Sequence, residues 1–209
     1  MNVPTRLSLL VVTAAVALGG CSKTDLTNLY RDPDFPSAPL TSLIVIAVER
    51  DSDMRRMWEQ AISAEFQSRG VLATPSYQHF PTALPDSQQV LVVMRRDGMN
   101  GAVVSHRLDV TQTGGFDGGY DKSTPMATHD YWRGWYHSYY QTATLGSAAP
   151  DKEKKGRYQL DVWSALDGGR FVWMGTTVEI DPTSVDKLRE EVAGQLVPEL
   201  ARREIIPQN

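Results

Sequence analysis

The chain reads as an α/β (α+β) protein, a single mixed sheet with helices packed on it, and three features predict this. Leu43-Ile44-Val45-Ile46-Ala47-Val48 is an unbroken apolar, largely β-branched run, the mark of a strand buried on both faces. Met54, Met57, Trp58, Ala61, Ile62 and Phe66 then recur at three- and four-residue steps, which places them on one side of a helix. Residues 158–166 and 172–180, joined around Asp167-Gly168-Gly169, form a hairpin whose loop suits a left-handed glycine. The predicted order is β-α-β-α-β, an insertion, then β-β-α, with about five strands.

The N-terminus is built differently. Arg6 precedes an apolar stretch over 7–18, followed by Gly19-Gly20 and the only cysteine, Cys21. A basic start, a short apolar core and small residues before a cut make a secretory leader. At about a dozen residues the stretch falls short of the roughly 20 that span hydrocarbon. Leu18-Gly19-Gly20-Cys21 resembles the bacterial lipoprotein signal. The resemblance implies that 1–20 is removed, that Cys21 is acylated on its thiol, and that Ser22 behind it directs the protein to the outer membrane, facing the periplasm. Two or more acyl chains hold a protein stably at a bilayer. No thiol then remains for disulfides or cysteine metal sites.

Cleavage removes Arg6, so 21 basic residues become 20 against 25 acidic ones, a net charge of −5. That balance, with Lys152, Lys154 and Lys155 interrupted by acids, argues against nucleic acid as a partner. Residues 21–40 are polar and proline-bearing and read as a flexible tether, with Tyr30 and Phe35 docking on the domain as the lesser alternative. The single domain is 41–209.

Within it, Asp51 or Ser52 caps the first helix, and Gly70 stands where a left-handed C-terminal cap belongs. Residues 71–77 make a second strand. Asp86-Ser87 cap a second helix through Val90, Leu91, Val93 and Met94, ending near Gly98; this run also has strand propensity, but the alternating 102–110 makes the better third strand. Residues 112–155, rich in glycine and aromatics, form an insertion.

In the hairpin, a register in which Leu166 faces Arg170 sets Val162 against Met174, Leu160 against Thr176 and Tyr158 against Val178. Trp163 then faces Trp173, and Ala165 faces Phe171, on the other side. Both faces are apolar, and the insertion is the candidate cover for the tryptophan face. Thr183 and Asp186 suit a capping box for a last helix carrying Val185, Leu188, Val192, Leu196 and Leu200. A kink is expected where Pro198 meets the Gly194 carbonyl.

Leu43-Ile-Val-Ile-Ala-Val, Arg69-Gly70-Val71, Gly101-Ala-Val-Val with Arg107-Leu-Asp-Val, Leu160-Asp-Val-Trp-Ser, the Asp-Gly-Gly turn and Phe171-Val-Trp together resemble the uncharacterised bacterial outer-membrane lipoproteins whose small α/β domain is similar to the N-terminal domain of the TolB translocation protein. The likeness covers roughly 43–110 and 156–205 and consists of packing patterns, not catalytic signatures. It implies a fold and an address more than an activity.

Residues suited to chemistry are sparse. His129 and His137 are eight apart beside Asp130, wider than common metal spacings, so with His79 and His106 they read as no metal site. Ser105 and His106 are adjacent in a strand and point to opposite faces. There is no Gly-x-Ser-x-Gly elbow, zinc-protease motif or phosphate loop. Glu49, Arg50 and Asp51 follow the first strand, where α/β sheets often bind ligands, and read first as capping and surface charges.

The aromatic set Tyr131, Trp132, Trp135, Tyr136 and Tyr139, with Trp163 and Trp173, is the candidate binding surface, lid packing being its plainer role. The function expected is a membrane-anchored, non-enzymatic binding or assembly component of the cell envelope, without cofactor and with an envelope protein or peptidoglycan as partner. A glycan-binding module on the aromatic insertion is one alternative. A hydrolase or metal enzyme in the crevice near Glu49 is the other.

Overall fold

The computed structural model describes residues 26–35, 38–108, 136, 156–166, 170–181 and 183–208. The apolar run becomes β2 (Ser42–Val48), buried at every position after Ser42. A strand with no polar face has to lie inside the sheet. Accordingly β2 pairs in parallel with β3 (Leu72–Pro75) on one side and with β4 (Gly101–Leu108) on the other. The sheet continues antiparallel through β5 (Arg157–Ser164), β6 (Arg170–Thr176) and β1 (Thr27–Arg31). It is a mixed sheet of six strands in the order β1-β6-β5-β4-β2-β3, one strand more than expected.

Helices cover both faces. Leu43, Val45 and Ala47 share one core with Trp58, Ala61, Ile62 and Phe66 of α1 (Ser52–Ser68). Ile44, Ile46 and Val48 share the other with Val90, Val93 and Met94 of α2 (Ser87–Asp97). The period-two alternation of a strand makes this division, and each large side chain so buried contributes about 1.5–3 kcal/mol. The last helical segment joins the α1 layer through Leu188, Val192, Leu196 and Leu200. It consists of α3 (Val185–Leu188), a π turn (Arg189–Ala193) and α4 (Gly194–Arg202). Among the described residues no helix is long and apolar enough to cross a membrane.

The helix ends follow local chemistry. Asp51 Oδ1 accepts from the Asp53 and Met54 N–H groups at 2.8 and 2.9 Å. Asp86 and Gln89 form a reciprocal capping box on α2, which settles the stretch 89–94 as helix. Gly70 and Gly98 take the left-handed φ of 73° and 66° that closes a helix at least strain.

Four expectations are corrected. The first is the tether. Residues 26–35 and 38–40 belong to the domain, because β1 completes the sheet against β6 and Phe35 and Leu40 enter the α1-side core. Arg170 pairs with the buried Asp32, Arg31 Nε donates to the Arg203 carbonyl at 3.1 Å, and Tyr30 stacks on Phe171 with centroids 5.7 Å apart. The docking alternative for Tyr30 and Phe35 is therefore the one observed. Residues 21–25 lie outside the described residues.

The second correction is the hairpin register. Val162 pairs with Trp173, Asp161 with Met174 and Leu160 with Gly175, and after a break Trp163 pairs with Phe171. The break inserts Val172 as an extra residue, a bulge that resets the alternation. Val172 and Trp173 consequently both face α1, whereas Trp163 and Phe171 face α2. A Cβ on Gly175 would collide with the Trp173 ring, so the small residue admits the indole.

Third, Ser184 caps α3 through the Lys187 N–H at 3.2 Å, in place of Thr183. Fourth, the irregularity of the last helix lies one turn upstream of Pro198. Gly194 N–H donates to the Arg189 carbonyl five residues back, and α4 runs through Pro198 to Arg202.

Two close approaches matter below. Gln67 Nε2 donates to the Ala73 carbonyl at 2.7 Å, covering part of the β3 edge. A Cβ on Gly101 would lie 2.7 Å from Leu43 Cδ2, 2.8 Å from Leu40 Cδ1 and 2.9 Å from the Trp163 carbonyl oxygen. Gly101→Ala is expected to destabilise the domain by about 1–3 kcal/mol, read as a lower urea midpoint. An unchanged midpoint would contradict this packing.

Candidate functional site at the carboxyl end of the parallel strands

β3 and β4 flank β2 on opposite sides, and α1 and α2 lie on opposite faces. Open α/β sheets form ligand crevices at the carboxyl ends of strands near such a divergence. A crevice of about 400 Å³ opens there, lined among others by Glu49, Arg50, Arg55, Arg56, Tyr77 and Thr82. β2 delivers Glu49 and Arg50, the first turns of α1 deliver both following arginines, and the segment after β3 delivers Tyr77 and Thr82.

A buried polar network holds its wall. Glu59, fully buried on α1, accepts from Arg55 Nε at 2.9 Å, Ser76 Oγ at 2.7 Å, the Tyr77 N–H at 2.7 Å and the Ala47 N–H at 3.1 Å. Arg55 also donates to the Phe80 and Ala83 carbonyls at 3.0 and 2.8 Å and to Ser76 Oγ at 2.7 Å. One guanidinium thus ties α1 to the 76–85 segment. Burial raises the Glu59 pKa, opposed by Arg55, Ser76 and two backbone N–H groups. Outside this network Arg56 stands over the Tyr77 ring, 6.0 Å from its centroid, a cation–π distance. Arg55 is matched by Glu59, and Glu49, Arg50 and Arg56 are the other charged residues of the crevice lining.

A second polar group lies inside the sheet on the α2 side. Asp161 accepts from Gln159 Nε2 on both oxygens at 3.0 Å, and His106 Nδ1 is 3.8 Å from Asp161 Oδ2. Burial lowers the His106 pKa to about 3. Burial pushes Asp161 well up, with only the Gln159 hydrogen bond opposing it. Burial thus disfavours the charged form of both groups.

Of the residues singled out in the sequence, Cys21, Tyr131, Trp132, Trp135, Tyr139, His129, His137 and Asp130 lie outside the described residues, as does nearly all of 112–155. Tyr136 is described. Its side chain is fully buried in the α2-side core, and its hydroxyl donates to the Pro85 carbonyl at 2.8 Å. Trp163 and Trp173, 3% and 0% exposed, belong to opposite layers and do not form one face. His79 lies 3.4 Å from Asp97, far in sequence and role from His106. Among the described residues no three His, Cys, Asp or Glu side chains gather as metal ligands would.

Reading the sequence missed Arg55, Glu59 and the His106–Asp161 pair. The first two had a signal. They stand four apart and in phase with the apolar Ile62 and Phe66, so they face the core.

No protein-family model matches the sequence, and no curated protein matches it. Among solved structures, a leucine-to-methionine variant of the PelC dodecamer from Paraburkholderia phytofirmans aligns with TM-score 0.43 and 10% identity, over 83% of this chain and 97% of that one. The PelC dodecamer from the same organism aligns with TM-score 0.41 and 9% identity, over 81% and 95%. Likeness at this level says nothing about what the chain does.

Proposed function

We propose that the protein is a lipid-anchored outer-membrane lipoprotein facing the periplasm, acting as a non-enzymatic binding or assembly component of the envelope. The observation that carries this reading is Leu18-Gly19-Gly20-Cys21 behind a basic, apolar leader. The crevice supports a binding role, since its lining includes the Arg56 guanidinium over the Tyr77 ring.

The structure alters one part of the picture. Because β1 begins at Thr27, only six chain steps separate it from Cys21, a reach of at most about 20 Å. An acylated Cys21 would therefore hold the domain close to the bilayer.

Mass spectrometry of protein from native membranes is expected to find acylated Cys21 as the first residue. Cys21→Ala should shift the protein out of the membrane fraction. A bare Cys21 thiol, or a retained leader, would overturn the reading.

A further inference from the structure

The chain leading from Cys21 enters the domain at one corner. Leu26 packs against the α1-side core, and only five chain steps lie between it and Cys21, a reach of at most about 18 Å. Thr27 pairs with Thr176, Thr176 with Gln159, Gln159 with His106 and His106 with Val48. This row is the end of the sheet at which β1 begins and β6 and β2 finish.

Among the described residues, four large apolar side chains stand exposed: Leu29, Leu72, Val92 and Val178. Two of them lie at this corner. Leu29 is two residues beyond Thr27 on β1, and its Cδ2 would be 3.1 Å from a Cβ on Gly175, which would also meet the Trp173 ring. Leu29 is therefore on the α1 side, with Leu26 and Trp173. Val178, 40% exposed, stands two residues past Thr176, where β6 has ended. The other two lie elsewhere. Leu72 pairs with Ser42, six residues up the sheet from Val48, about 20 Å away. Val92 is on α2, which covers the opposite face.

We infer that this corner is a membrane-contact surface, with Leu29 and Val178 seated in the interfacial layer of the bilayer that holds Cys21. The inference rests on the proposed acylation of Cys21. The length of the lead and the point where it ends select this occupant. So short a lead keeps this end of the sheet against the lipid, and the favoured orientation is the one that removes exposed apolar area from water. Charge does not select an anionic leaflet. Exposed Glu179 follows Val178, and exposed Arg157 opens β5 next to Tyr158, whose carbonyl accepts from the Thr177 N–H at 2.8 Å.

The test uses the full acylated protein in phosphatidylcholine vesicles. Acylation consumes the only native thiol, so a fluorophore can be placed on Glu179→Cys or on Leu72→Cys. Leu72 is 70% exposed and marks the far end of the sheet. A spin label on the lipid headgroup should quench the Glu179 probe severalfold more than the Leu72 probe. Adding Leu29→Ser and Val178→Ser should bring the Glu179 probe down to the Leu72 level while the protein still floats with the vesicles. Leu29→Met with Val178→Ile, which keeps the apolar contact, should leave the quenching as it was.

Equal quenching of the two probes, or Glu179 quenching that survives the serine pair, would overturn the inference. Energy transfer between Glu179 probes on two copies in detergent would also overturn it, by placing a second copy of the chain on the corner. Protein that floats with an unquenched Glu179 probe sinks this inference only. Protein that fails to float sinks the acylated-anchor reading with it.

Discussion

Replacing Glu59 with alanine is expected to lower the unfolding free energy by about 3–5 kcal/mol, the range for removing one member of a buried ion pair. The carboxylate accepts four hydrogen bonds, from Ala47, Arg55, Ser76 and Tyr77. Without it the Arg55 guanidinium stays buried, and arginine cannot shed its charge.

Arg55→Ala differs in kind. It frees the Phe80 and Ala83 carbonyls, but Glu59 keeps three donors and can take up a proton. Burial already raises its pKa, and Arg55 is the largest influence opposing that rise, so the variant raises it further. An acid whose folded pKa lies above its unfolded value loses stability as pH rises between the two. The Arg55→Ala penalty should therefore shrink on acidification from pH 7 to 5, whereas the Glu59→Ala penalty should not. Urea unfolding followed by tryptophan fluorescence at both pH values measures this. A Glu59→Ala loss below about 1 kcal/mol would refute the role given to the network.

Separating His106 from Asp161 should produce pH dependences of opposite sign. Burial raises the folded Asp161 pKa well above its unfolded value near 3.8 and lowers that of His106 from 6.5 to about 3. As pH climbs between a group's folded and unfolded values, Asp161 makes stability fall and His106 makes it rise, so in the parent chain the two slopes oppose each other.

Asp161→Asn leaves His106 alone. Stability should then climb with pH between about 3 and 6.5, by a total on the order of 5 kcal/mol. His106→Gln leaves Asp161 alone, and stability should fall as pH rises above about 4. Urea midpoints at pH 4.5, 5.5 and 6.5 compare the variants. Slopes of the same sign would show that the two groups do not titrate as described.

What could be read in advance was what neighbouring residues decide among themselves. β2 was legible because six consecutive apolar residues allow no other placement. α1 and α2 were legible because Asp51, Asp86, Gly70 and Gly98 mark their ends with local hydrogen bonds and backbone angles. β1 was not legible. Thr27–Arg31 is short and polar, and its strand character comes from β6, some 150 residues later, with Arg170 and Phe171 supplying the contacts to Asp32 and Tyr30. The hairpin register failed for a related reason. Alternation assumes an even period, and nothing local announces that Val172 is the extra residue.

The candidate site was half visible. Glu49 and Arg50 could be placed at the end of a strand, but that Arg55 fastens the crevice wall depends on carbonyls of Phe80 and Ala83 that only the folded chain brings near.

The Gln67–Ala73 hydrogen bond has a consequence for assembly. A sheet border with unsatisfied carbonyls invites another chain to dock strand against strand and propagate into a ribbon. Here an amide from the neighbouring helix already occupies one of those acceptors, and the strand ends after four residues in Pro75, which has no N–H to offer. Copies crowded side by side cannot zip together through this border. Removing the amide with Gln67→Ala would leave that acceptor open to such ribbon growth.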